Sequence, residues 1–283
     1  MEKLNSILMV VEPEDGVHRL LAKACVLTRH FGARLELFLC DAEQAFALSH
    51  SYDSRGTAEA RSACLAERRR YLESLRETVG ARDLEISVDV ACESPLYEGI
   101  RRKVLGSRPD LVILSASAGE RTRTGGGLSA SAWQVIRTCP VPVMLTSGRP
   151  WRAAPAFAAS VDISDEETPG LALAILRAAR FVAGRCAGTL DILYCERAPA
   201  PEARREEALK ALAREAAILD PRVRMVAGEP AAELPRLAAR EGYDLMLLGA
   251  LTHRRGVATL VGTLTSRLVE TLECDFILVK PES

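Results

Sequence analysis

The sequence repeats itself at the scale of a domain, and this constrains its fold more than any other feature. The run Ile7-Leu8-Met9-Val10-Val11 is followed by Glu12, and much later Phe157-Ala158-Ala159-Ser160-Val161 is followed by Asp162. A helical pattern comes next in each copy, over residues 17–31 and 171–182. A second apolar run then ends in cysteine both times, at Cys40 and at Cys195. Asp110-Leu111-Val112-Ile113-Leu114 matches Asp244-Leu245-Met246-Leu247-Leu248, and Cys139-Pro140-Val141-Pro142-Val143-Met144-Leu145 matches Cys274-Asp275-Phe276-Ile277-Leu278-Val279. The offsets are 150 at Glu12/Asp162, 155 at Cys40/Cys195, 134 at Asp110/Asp244 and 135 at Cys139/Cys274. The first copy therefore holds a longer segment, residues 41–83, between its second and third strands than the second copy holds over residues 196–221.

At roughly 150 residues per domain, 283 residues suit two domains. Residues 148–155 are rich in Gly, Pro and Arg and read as a linker between a first domain, 1–147, and a second, 156–283. Trp151 within it is either a plug between the halves or an exposed anchor. Leu111-Val112-Ile113-Leu114 and Leu245-Met246-Leu247-Leu248 are apolar throughout rather than alternating, the pattern of parallel strands buried on both faces. Helical patterns separate them, over residues 57–79, 95–105, 130–138 and 202–219. The expected fold is α/β: two tandem, open, doubly wound parallel sheets of five strands, Rossmann-like and related by a pseudo-twofold axis. The last strand of each copy, residues 141–145 and 276–279, is an exposed edge unless paired, so the two are expected to pair with each other across that axis. The arrangement expected is a monomer with an internal pseudo-dimer, or a homodimer.

Composition excludes several roles. Lys plus Arg number 37 and Asp plus Glu 38, so a net charge of -1 argues against wrapping nucleic acid. Aromatic residues at 5% argue against single-strand stacking platforms. The N-terminus lacks the basic start and long apolar run of a secretory signal, and no stretch approaches a membrane span. The eight cysteines include no C-x-x-C pair and mostly sit in apolar segments, so they read as reduced thiols packing as small hydrophobes. A cytoplasmic location is the expectation.

In an open α/β sheet, ligands bind beyond the carboxyl ends of the strands where the strand order reverses. In the second copy the residues to inspect are Asp162, Cys195 and the stretch from Gly249 onwards. Gly249 ends a buried run, and Gly262, Thr263, Leu264 and Thr265 open a helical pattern, whose N–H groups and dipole favour anions. Arg254 and Arg255 add positive charge between them, beside Gly256. These features suit a phosphate chain. No G-x-S-x-G elbow, G-x-x-x-x-G-K-[ST] loop or paired carboxylates accompany them, so catalytic residues are not assigned. His18, His30, His50 and His253 have no metal-ligand spacing.

The opening ILMVVEPED, the segment SAWQVIRTCPVPVML and the C-terminal DLMLLGALTHRRGVATLVGTLTSRLVETLECDFILVKPE together resemble the universal stress protein family, in its tandem E-type form, over essentially the whole chain. The nucleotide-binding branch of that family carries Gly, two residues, Gly, nine residues, Gly, then Ser or Thr. Gly249, Gly262 and Thr263 fall on that register, and Thr252 replaces the second glycine. The resemblance implies ATP or AMP, with magnesium, beside Asp162, with the adenine near Cys195. The first copy has Ser115 opposite Gly249 and Leu128 in place of the hydroxyl, which makes its site degenerate. The implied role is a non-catalytic stress-response sensor or regulator. The alternative is a nucleotide-independent scaffold or a carrier of an apolar ligand on the same fold. A flavoprotein-like electron-transfer subunit is a further, weaker reading.

Overall fold

The computed structural model describes residues 3–13, 16–50, 54–116, 130–146, 148–164, 168–196, 202–250, 267–268, 271 and 274–281. The first half runs β1 (Ser6–Val10), α1 (Val17–Phe31), β2 (Arg34–Cys40), α2 (Ala42–Ser49), α3 (Ser54–Thr78), β3 (Ile86–Ala91), α4 (Leu96–Ser107), β4 (Leu111–Ser115), α5 (Ala130–Thr138) and β5 (Val143–Thr146). The second half follows with β6 (Ala156–Ser160), α6 (Leu171–Arg185), β7 (Thr189–Glu196), α7 (Glu202–Glu215), β8 (Arg222–Ala227), α8 (Pro230–Glu241), β9 (Leu245–Gly249) and β10 (Asp275–Val279). The longer 41–83 segment is accounted for by α2, which the periodicity did not reveal, and by a 25-residue α3 opposite the 14-residue α7.

The apolar runs form the strands because each is buried on both sides. In β1, Ile7 and Met9 enter the core on one face of the sheet while Leu8 and Val10 enter the core on the other. The first core is covered by α1, α3, α6 and α7, and the second by α4, α5 and α8. The helix ends are written locally. At the end of α1, Gly32 takes the left-handed conformation (φ 65) that returns its own N–H and that of Ala33 to the last turn, the C-terminal arrangement glycine favours.

The ten strands make one sheet, in the order β3-β2-β1-β4-β5-β10-β9-β6-β7-β8. Each set of five is parallel within itself. The seam is antiparallel, with Phe276 opposite Leu145, Ile277 opposite Met144 and Leu278 opposite Val143. The expected pairing of the last strands is therefore present, and it fuses the two five-stranded sheets into one. Both edges that such strands would otherwise expose are satisfied at once. Across the seam, Phe31 of α1 stacks on Phe181 of α6 at 5.5 Å.

Residues 148–155 are fixed to both halves. Gly148 (φ 75) lies so close to α1 that a Cβ there would meet the backbone of Arg19 at 2.8 Å. Trp151 is a plug rather than an exposed anchor. Its Nε1 donates to Asp275 Oδ2 at 2.8 Å, its ring meets Phe157 edge-on at 5.2 Å, and the Lys23 ammonium lies 4.3 Å from its centroid. Lys23 and Asp275 form an ion pair at 3.0 Å, with side chains 2% and 4% exposed. Burial lowers the Lys23 pKa, and Asp275 opposes that shift.

A buried charge whose partner is removed is strongly destabilising, whereas removing both is often tolerated. Asp275→Ala is therefore expected to cost about 3–5 kcal/mol of unfolding free energy. The double variant K23M/D275N removes both charges and leaves an acceptor for Trp151. Urea denaturation should show it recovering most of that loss. Equal losses in the two proteins would refute this account of the seam.

Candidate functional site

In the second half the strand order reverses between β6 and β9, so the crevice expected to receive a ligand opens beyond their carboxyl ends. Asp162 lies two residues past the end of β6, and Gly249 is the last residue of β9, strands paired in register at Phe157/Leu245 and Ala159/Leu247. Cys195 is one strand away near the end of β7, opposite Val226 of β8. Three of the predicted site residues thus share one edge of the sheet. Thr252, Arg254, Arg255, Gly256, Gly262, Thr263, Leu264 and Thr265 lie outside the described residues.

The half-buried Asp162 carboxylate accepts the Ser164 N–H at 2.9 Å through Oδ1, a local turn bond. Gly249 has a structural reason to be glycine, because a Cβ there would sit 2.8 Å from Cδ2 of Leu171, the first residue of α6. Its small size lets the start of that helix close on the end of β9. Next to Cys195, Glu196 forms an ion pair with Arg205 of α7, whose guanidinium also lies 5.8 Å from the Tyr194 ring. Sequence reasoning did not single out Arg205. It sits on a helical pattern full of charge, and only the fold brings it over β7.

The same edge of the first half is built differently. Cys40, the counterpart of Cys195, is buried and donates to the Glu93 carbonyl at 3.4 Å. Gly99 of α4 lies so close that a Cβ would approach the Cys40 sulfur to 2.4 Å. Asp41, immediately after β2, caps α2 by accepting the Gln44 N–H at 2.9 Å and pairs with Arg68 of α3 at 2.8 Å. Cys64 donates to the same carboxylate at 3.6 Å. Residues of α2, α3 and α4 thus engage the end of β2, whereas Cys195 stays half-buried. All eight cysteines are free thiols, and no group of His, Cys, Asp and Glu able to hold a metal occurs among the described residues.

Residues 164–280 match the family model described as the universal stress protein family. The whole chain is 20% identical to Universal stress protein E of Photorhabdus laumondii, over 306 residues covering 96% of that protein, and 20% identical to Universal stress protein E of Escherichia coli, over 303 residues covering 96% of it. The second half of the chain thus matches the universal stress protein family, and the chain as a whole is similar to the tandem E-type proteins. The fold agrees over nearly its full length. A putative universal stress protein from Pseudomonas aeruginosa superposes with a TM-score of 0.75 at 21% identity, covering 99% of this chain and 94% of that one. A universal stress protein from Archaeoglobus fulgidus gives 0.67 at 14% identity, covering 99% and 98%. The expected resemblance to this family in its tandem E-type form is met. Among the described residues no helix is long and apolar enough to cross a membrane.

Burial, and after it the Asp41 carboxylate, pushes the half-buried Cys64 thiol up to about 11 from an ordinary 9.0. A raised thiol pKa leaves less of the reactive thiolate at a given pH. Alkylation of Cys64 by iodoacetamide, followed on its peptide by mass spectrometry, should therefore keep rising well past pH 9 and turn over near pH 11. Asp41→Asn removes the anion and should move the turnover to lower pH. A plateau near pH 9 in the parent protein contradicts this geometry.

Proposed function

We propose that the chain is a non-catalytic, cytoplasmic stress-response regulator that binds an adenine nucleotide at the β6/β9 crevice of its second half. The observation that supports this reading is the placement of Asp162 and Gly249 on either side of the strand-order reversal, with Gly249 inside the segment that matches the family model and Asp162 two residues before it. The donor set suits a nucleoside. A half-buried carboxylate with one oxygen engaged locally has its other oxygen to accept ribose hydroxyls. The end of β7 at Cys195 is less enclosed than its Cys40 counterpart, leaving backbone to border a base. In this reading Gly249, Gly262 and Thr263 offer backbone and hydroxyl donors to the phosphates, and Arg254 and Arg255 supply positive charge. ATP or AMP is the ligand class, with magnesium accompanying the triphosphate. The first-half site, where Gly99 brings α4 onto Cys40, is read as structural.

A ligand that binds only the folded state stabilises it by RT ln(1 + [L]/Kd), about 2.7 kcal/mol at a hundredfold excess over Kd. Thermal unfolding with millimolar ATP and magnesium should therefore shift the midpoint upward by several degrees. Asp162→Ala should weaken nucleotide binding by about tenfold while leaving the ligand-free unfolding free energy within about 1 kcal/mol of the parent. Native mass spectrometry of freshly purified protein reports any retained nucleotide together with the subunit count. No shift with ATP, ADP or AMP overturns the proposal.

A further inference from the structure

A groove of about 560 Å³ lies between α1 and residues 148–155, away from the nucleotide crevice. One wall is a stripe of α1. Arg19, Ala22, Val26 and His30 recur at the spacing that places residues on one helix face, and all four are exposed. Val26 is 43% exposed and gives that face an apolar centre. The other wall carries Pro150, Trp151 and Pro155. That wall is held in place by the close approach of Gly148 to α1, by the Trp151–Asp275 hydrogen bond, and by Arg152, which meets Asp244 at 3.0 Å. The volume falls within the range of small-molecule sites, which pair apolar walls with a few placed polar groups.

The charges lining this groove are of one sign. Arg19, Lys23 and Arg152 line it, and no Asp or Glu does among the described residues. Lys23 is neutralised by Asp275 and Arg152 by Asp244. Arg19 has no ion pair among the described residues and stands at one end of the apolar stripe. An apolar trough with an uncompensated guanidinium selects an anion that carries a hydrocarbon body. We propose that this groove binds a small amphipathic carboxylate, its hydrocarbon part against Val26, Trp151 and Pro155 and its carboxylate on Arg19. A guanidinium and a carboxylate form the charge-assisted, fork-shaped pair for which arginine is suited. The site is independent of the nucleotide reading, since it uses none of the residues assigned there.

The chain has two tryptophans, so Trp133→Phe leaves Trp151 as the sole indole reporter in the full-length protein. Decanoate, kept below its micelle concentration, is expected to change Trp151 emission saturably. Decanol should bind about tenfold more weakly, because it lacks the charge-assisted bond. Decyltrimethylammonium should not compete with decanoate. Arg19→Glu and Val26→Asp alter two exposed positions and should retain the parent circular dichroism and melting midpoint, while each weakens decanoate binding about tenfold or more. Asp162→Ala should leave decanoate binding unchanged, whatever its effect on ATP. The proposal is overturned by the absence of a saturable change, by equal binding of decanol and decanoate, or by parent-like binding in both groove variants.

Discussion

The antiparallel pairing of β5 with β10 is the constraint on which the rest of the structure depends. Each strand alone would end a parallel sheet with a row of unpaired N–H and C=O groups, an open template for aggregation. Pairing Val143, Met144 and Leu145 with Leu278, Ile277 and Phe276 removes both edges inside one chain. It also reverses the second half relative to the first. The carboxyl ends of β6–β9 therefore point the opposite way to those of β1–β4, and the two switch-point crevices open toward opposite edges of the sheet. Next to this seam lies the buried ion pair of Lys23 and Asp275, which also holds Trp151. A charge pair in such a place contributes little net stability over an apolar alternative, yet it tolerates few other arrangements. It fixes α1 and residues 148–155 on the first strand position of β10.

The halves share a plan but not their polar interiors. Glu36 on β2 and Asp191 on β7 occupy corresponding positions beneath the same face of the sheet. In the first half the cation comes from a helix, with Lys103 of α4 joining Glu36 at 2.7 Å and Asp89 of β3 at 2.8 Å. In the second half it comes from the neighbouring strand. Arg224 stands opposite Leu193 as Asp89 stands opposite Phe38, and it pairs with Asp191, which also accepts the Tyr243 hydroxyl at 2.7 Å. A carboxylate on the second strand was kept in both copies while its cation moved. The requirement is that a buried acid be matched, and the fold accepts more than one way of matching it.

This explains what the sequence makes legible. Strands buried on both faces need unbroken apolar runs, so β1, β4, β9 and β10 were readable, and comparing the copies located the pairing of their last strands. Helices with strong apolar stripes were equally clear, and residues 17–31 and 130–138 coincide with α1 and α5. Helix α2 was not readable because none of its residues is buried, so it lacks the periodic signal. Nothing in the sequence around Lys23 marks it as buried. Only the seam supplies the carboxylate that allows it inside. Gly249 shows the other side of the problem. It reads as part of a phosphate loop, yet its close approach to the Leu171 side chain also favours a small residue. The placement of Asp162, Cys195 and Gly249 along one edge follows from strand order, which the copies' shared βα alternation already implied.

Helix α6 reaches both of the inferred ligand-binding regions. Its first residue, Leu171, packs on Gly249 at the carboxyl end of β9, and Cys186, just past its last turn, lines the groove beside Trp151. Strand β6 runs alongside, beginning just past Pro155 of the groove wall and ending two residues before Asp162. Five residues of strand span about 17 Å, so the two places do not touch. The β5–β10 seam places both ends of α6 against one continuous sheet.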